Sequence, residues 1–114
     1  MTVTISAMQW PDVPAVSHIE SDLFPVDPWT AEMFWAELAE VGTSREVVCA
    51  HDGDHIVGYA SLRYVGKEGD VNTIAVARDK QSQGIGRALM TWMYDTARVH
   101  GVESEFARLD GHPV

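Results

Sequence analysis

The stretch AVARDKQSQGIGRALM, Ala75 to Met90, passes from an apolar run through a polar turn into a helical pattern. Ile85, Leu89, Met93 and Ala97, with Trp92 and Thr96 beside them, keep helical spacing as far as Gly101. Upstream, Asp70 to Ala77 reads as a strand. A strand that enters a helix through a two-glycine turn has the helix's free N–H groups and positive dipole end at its tip. Gly84 and Gly86 carry no Cβ, so a bulky anion reaches those groups. The expectation is a phosphate cradle built from backbone, with the charge of Arg87 added.

Two phosphate-binding loops do not fit. A Walker A loop needs Lys-Ser or Lys-Thr after its last glycine, and Arg87-Ala88 stands there. A dinucleotide fingerprint needs a small residue at position 89, which is Leu89. Taken alone, Gly-x-Gly before a helix is a weak signal, because two glycines also ease a tight turn.

Further upstream, Glu46 to His51 is short and β-branched, and Asp52-Gly53-Asp54 is a turn. His55 to Val65 reads as a longer strand, followed by a turn over Gly66 to Gly69. Near the start, Val3-Thr4-Ile5 is a first strand. Asp12 to Leu23 carries Val13, Val16, Ile19 and Leu23 at helical spacing. Pro25 and Pro28 break that helix. Thr30 N-caps a second one, with Trp29 and Phe34 spaced as a hydrophobic staple. Phe34, Leu38 and Val41 make its buried stripe, and Gly42 ends it. After the glycine-turn helix, Val102 to Ala107 is a further short strand and residues 108–114 a frayed tail. The order is β-α-α-β-β-β-α-β. It implies one domain over 1–114, of the α/β class with a mixed α+β sheet.

Composition bounds the function. A chain of 114 residues, 46% hydrophobic, supports one modest core. No apolar run is long enough to cross a bilayer, and the N-terminus does not read as a signal peptide. Cys49 is the only cysteine, so no internal disulfide forms, and a cytoplasmic location is expected. Its apolar neighbours Val47, Val48 and Ala50 mark Cys49 as a buried small hydrophobe. A net charge of −9 argues against nucleic acid and anionic membrane as partners; it suits a cationic or amine-bearing substrate, and a merely soluble acidic surface explains it equally well. His51 and His55 flank a turn without a second ligand pair, so no metal site is expected. His18 and His100 sit in helices without an evident partner, and Met8, Met33, Met90 and Met93 read as core filling.

Asp70-Val71-Asn72-Thr73-Ile74-Ala75-Val76, a polar turn, and then Gln81-Ser82-Gln83-Gly84-Ile85-Gly86-Arg87-Ala88-Leu89 together resemble motif A of the GNAT acetyltransferases, with Gln81, Gly84 and Gly86 at its core positions. The resemblance implies acetyl-CoA as cosubstrate. The backbone amides of Ser82, Gln83, Gly84, Ile85, Gly86 and Arg87 would hold its pyrophosphate. Ile74, Ala75 and Val76 would pair with its pantetheine arm as an added strand does. The Val76 amide would serve as a one-donor oxyanion hole. In the N-terminal half, His18-Ile19-Glu20, Leu23-Phe24-Pro25, Pro28-Trp29-Thr30 and Phe34 look like the first two helices of RimI-type enzymes, which acetylate the N-terminal alanine of a ribosomal protein. The resemblance implies that Phe24, Pro25 and Trp29 touch a protein N-terminal peptide; the alternative is that they only pin the two helices together.

The resemblance runs from about Thr4 to Gly101. Beyond it the family's proposed base falls on Arg108, which stays protonated, and its tyrosine helix and closing strands have no counterpart. Asp70 and Glu20 are the substitute bases to consider, each read first as a solvated surface group. Tyr59 and Tyr64 are five residues apart on one strand and face opposite sides, while Tyr94 lies off the main stripe of its helix. No catalytic acid or base is assigned. An incomplete C-terminal part implies an exposed sheet edge, and with it a homodimer or poor solubility; an early stop or frame shift in a longer gene would account for such an ending. An acetyltransferase, a CoA-binding module with little turnover, an interaction remnant, and a GNAT for another small amine all remain open.

Overall fold

The computed structural model describes residues 3–103. Four strands form one sheet in chain order: β1 (Val3–Ala7), β2 (Arg45–Asp52), β3 (His55–Val65) and β4 (Glu68–Val76). Every pairing is antiparallel. Helices α1 (Val13–Leu23) and α2 (Ala31–Ala39) cover one face, and α3 (Ile85–Val99) covers the other. The period-two pattern divides the core accordingly. Val47, Cys49, Tyr59 and Ala75 pack with α1 and α2, while Val48, Ala60, Leu62 and Val76 pack with α3. Covered on both sides, the middle of β3 reads as a continuous buried run.

Local chemistry sets most element ends. Pro14 stands in the first turn of α1, where its missing N–H costs nothing. Thr30 Oγ1 accepts the Met33 N–H at 3.2 Å, capping α2. The Trp29 and Phe34 rings lie 5.3 Å apart, closing the expected staple.

Several expectations are corrected by packing. Helix α2 stops at Ala39, so Val41 leaves the buried stripe; it bridges to Arg45 and is exposed. Met33 is exposed in the first turn of α2, its sulfur facing the Thr30 N–H, and fills no core. Tyr94 is buried, because the face of α3 on the sheet is wide enough to take Met90, Met93, Tyr94 and Ala97 together. His100 is not without partners: it stacks on Tyr64 at 4.1 Å, and its Nε2 lies 3.6 Å from Glu46 Oε2. Tyr59 and Tyr64 do face opposite sides of the sheet.

The expected strand over 102–107 lies largely outside the described residues, as do Arg108 and the tail 108–114. Val102 and Glu103 are described and are not in a strand. Val102 is buried against Gly69, where an added Cβ would meet its methyls at 3.0 Å, and the Glu103 N–H donates to Lys67 O at 2.7 Å. Among the described residues the sheet is therefore antiparallel, and its mixed character is an expectation about residues beyond them.

Candidate functional site

The site begins with the parity of one ladder. The Ala77 N–H donates to Val57 O at 2.8 Å, so those two residues form a hydrogen-bonded pair. Alternation then makes Tyr59–Ala75 and Ser61–Thr73 hydrogen-bonded pairs, and Gly58–Val76 and Ala60–Ile74 non-hydrogen-bonded ones. The N–H and C=O groups of Ile74 and Val76 consequently point away from β3, along the outer edge of β4. Asn72 sets this parity: Ser61 faces Thr73 but Leu62 faces Val71, so Asn72 is an extra residue, a β-bulge. The Gln81 Nε2 donates to Val76 O at 3.1 Å, tying the following turn to the strand's end.

In that turn Ser82 has φ +65° and Gly84 φ +89°. A left-handed serine is uncommon, and left-handed residues within a turn aim successive N–H groups into one concavity. An added Cβ at Gly84 would meet nothing within 4 Å, so its requirement is conformational and the space in front of it is open. No side chain caps α3, and its first helical bond runs from the Ala88 N–H to Gly84 O at 3.0 Å. The N–H groups of Ile85, Gly86 and Arg87 thus lie ahead of the helical ladder. Arg87 is exposed at this positive helix end. Arg45, Arg63, Lys67, Arg78, Lys80 and Arg98 all have carboxylate partners; among the described lysines and arginines, Arg87 has none.

Across from β4 stands the C-terminal end of α1. Arg78 reaches it with its Nε 3.1 Å from Asp22 Oδ2 and an Nη2 bond of 2.8 Å to Asp22 O. Between the two walls lies an open groove of about 390 Å³, lined by Leu23, Phe24, Ile74, Ala75, Val76, Gln81 and Ser82. Beneath it, Glu20 is buried. Its Oε1 accepts the Tyr59 hydroxyl and its Oε2 the Trp29 N–H at 2.9 Å. This corrects the reading of Glu20 as a solvated group: its carboxylate fastens the loop after α1 to the sheet. Burial raises the Tyr59 hydroxyl pKa well above its usual value, and the hydrogen bond and charge of Glu20 add to the shift. Asp70 remains at the surface, 3.7 Å from Arg63.

The groove thus brings together Ile74, Ala75, Val76, Ser82 and Phe24. Gln83, Gly84, Ile85, Gly86 and Arg87 continue from it into α3; Gln83, Gly84 and Arg87 are exposed and Ile85 and Gly86 buried. Pro25 is exposed beside Phe24, while Trp29 packs on Phe34 and holds the loop through its N–H. Sequence reasoning missed Leu23, the Gln81 side chain, Arg78 and Asn72. Gln81 and Asn72 stand in the motif stretch and Leu23 in the first-helix stretch, but the part each plays depends on contacts across the fold, as does that of Arg78. No group of three His, Cys, Asp or Glu side chains able to hold a metal ion occurs among the described residues.

Comparison with known proteins agrees with this geometry. The family model for the acetyltransferase (GNAT) family matches residues 13–112. The chain is 37% identical over 101 residues to N-alpha-acetyltransferase RimI of Mycobacterium tuberculosis, covering 84% of this chain and 63% of that one. It is 30% identical over 99 residues to the [ribosomal protein bS18]-alanine N-acetyltransferase of Escherichia coli, covering 87% of this chain and 64% of the relative. It therefore spans less than two thirds of the length of these relatives. The crystal structure of the ribosomal-protein-S18-alanine N-acetyltransferase from Escherichia coli superimposes with a TM-score of 0.74 at 30% identity, covering 89% of this chain and 63% of that one. PaiA N-acetyltransferase from Thermoplasma acidophilum, solved in complex with coenzyme A, reaches a TM-score of 0.78 over 90% of this chain and 76% of that one; at 12% identity it speaks for the fold alone. The family model over residues 13–112, with relatives at 30% identity or more along most of the chain, places the chain in the acetyltransferase (GNAT) family.

Proposed function

We propose that the groove holds acetyl-CoA and presents its acetyl group to the N-terminal amine of a protein, of the ribosomal-protein-alanine kind for which the relatives are named. One observation carries the reading: the outward amides of Ile74 and Val76 lead directly to an uncapped helix N-terminus beside the unpaired Arg87. An extended polar arm suits the strand edge, and a pyrophosphate suits the turn. Among the described residues no carboxylate pairs with Arg87 and no side chain caps the first turn of α3. The Val76 N–H is the donor for the thioester oxygen as negative charge develops there. Phe24 and Pro25 stand where an acceptor peptide would enter, and the net charge of −9 suits an amine carried on a basic chain.

The amine must lose a proton before it attacks. Glu20 has both carboxylate oxygens engaged, and Asp70 pairs with Arg63. The described residues therefore account for binding and orientation, while the family's base position, at Arg108, lies beyond them. This favours, as second reading, a chain that binds CoA and turns over slowly. Among the described residues β4 pairs only with β3, so a homodimer that paired along its outer edge would compete with acetyl-CoA for the Ile74 and Val76 amides. No described helix is long and apolar enough to cross a membrane. The cytoplasmic setting we propose rests on the single, unpaired cysteine of the sequence.

Titration calorimetry with acetyl-CoA tests the cradle. Saturable binding is expected for the unmodified chain, with loss in the double variant Gly84→Val, Gly86→Val. Mass spectrometry of an alanine-starting peptide then separates transfer from binding alone. A folded chain that does not bind acetyl-CoA refutes the proposal.

A further inference from the structure

Helix α2 contributes no residue to the groove, yet it carries a buried carboxylate. Glu37 Oε1 accepts from Ser61 Oγ at 2.5 Å and from Asn72 Nδ2 at 2.7 Å, and its Oε2 accepts from Arg45 Nε at 2.9 Å. The three donors come from β2, β3 and β4, so one carboxylate ties three neighbouring strands. Stability alone does not call for such a group, because a well-packed apolar residue often does as well or better. The partner on β4 is the informative one. Asn72 is the bulge residue itself.

The bulge decides which amides face the groove. Below it, Leu62 pairs with Val71 and Arg63 with Asp70. If that register ran on unbroken, Asn72, Ile74 and Val76 would turn their N–H groups into the ladder, and Thr73 and Ala75 would turn outward. One inserted residue reverses the order. A bulge that shifts along its strand carries the alternation with it.

We infer that Glu37 is a positioning residue: through Asn72 it holds the β4 bulge in place and so determines that Ile74 and Val76, and not Thr73 and Ala75, present their amides to the groove. The consequence for acyl binding at the Val76 amide rests on the function proposed above; the tether itself does not.

Amide hydrogen exchange of the unliganded protein, read residue by residue by NMR, tests it. In the unmodified chain Thr73, Ala75 and Ala77 are expected to exchange slowly and Ile74 and Val76 fast. In Glu37→Gln and in Asn72→Ala the ratio of protection at Ala75 to that at Val76 should fall about tenfold or more. Arg45→Met is the control. It removes another partner of the same carboxylate and lowers stability, but leaves Asn72 tethered, so the alternation should survive. General loosening would speed all β4 amides together and leave their ratio unchanged. If Glu37→Gln does not fold, Asn72→Ala decides alone, since it keeps Arg45 and Ser61 on the carboxylate. An unchanged Ala75 to Val76 ratio in folded Asn72→Ala overturns the inference. Acetyl-CoA added to the same samples judges the functional reading separately: failure of the unmodified chain to bind sinks that reading and leaves the exchange result standing.

Discussion

Gly84 and Glu20 show how differently single residues announce themselves. Gly84 was legible because its demand is local. Its φ of +89° lies where an L side chain is strained, although a Cβ there would touch nothing. Gly84→Ala should therefore cost about 1–2 kcal/mol in urea unfolding, from backbone strain alone. It should also weaken acetyl-CoA binding by about tenfold, because the turn's N–H groups no longer converge. Glu20 was misread because its role is entirely distant. Its partners are Trp29, nine positions away, and Tyr59, thirty-nine away. Glu20→Ala leaves the buried Tyr59 hydroxyl and the part-buried Trp29 N–H without their partner. A loss of about 3 kcal/mol or more is expected by denaturant titration, with the larger share from the unpaired hydroxyl.

The strands and helices were largely readable, since each carries its own period and punctuation. His55 to Val65 was placed to the residue, and the Thr30 cap opens α2 as the spacing required. Thr30→Ala should lower the unfolding free energy by about 1 kcal/mol and leave ligand affinity unchanged. How closely two elements approach was not readable. Gly58 on β3 is a position where an added Cβ would come 2.9 Å from the Ala75 carbonyl oxygen and 3.3 Å from Leu89 Cδ1. The nearer obstacle is backbone, which cannot swing aside. Gly58→Ala should destabilise by about 1–3 kcal/mol and, by lifting the start of α3 off the sheet, weaken acetyl-CoA binding as well. Thermal unfolding and calorimetry on the one variant check both effects. The bulge at Asn72 escaped for a related reason: a run of seven strand-like residues looks the same whether or not one of them is unpaired.

Taken as a whole, the molecule is a sheet between two helical layers, and the buried groups that titrate sit between those layers. Burial pushes the Cys49 thiol from 9.0 up to about 12, with Asp12 adding to it, and raises Tyr59 and Tyr64 as well. All three folded-state values lie above the unfolded ones, so the folded chain holds its protons longer. Their contribution to stability is complete below pH 9 and is lost as pH rises, from about 9 to 12 for Cys49. Urea midpoints should stay level through neutral pH with respect to these groups and fall above pH 9. Cys49→Ala should flatten the first part of that fall. The native thiol, fully buried, should resist a thiol reagent until the chain unfolds.

The amino-acid sequence by itself determined the order of the elements as far as α3, the caps and breaks between them, the glycine turn at the head of α3 and the family they resemble. All of these are written in neighbouring residues, through side-chain period, proline and glycine. Only the tertiary structure decided which amides of β4 face outward, what Glu20 and Glu37 hold, that Tyr94 is buried and His100 partnered, and that Phe24 shares a groove with Val76. Those outcomes turn on a one-residue register and on contacts between segments far apart in the chain. Neither leaves a periodic trace, because a carboxylate at helical spacing looks the same in solvent as it does beneath a sheet.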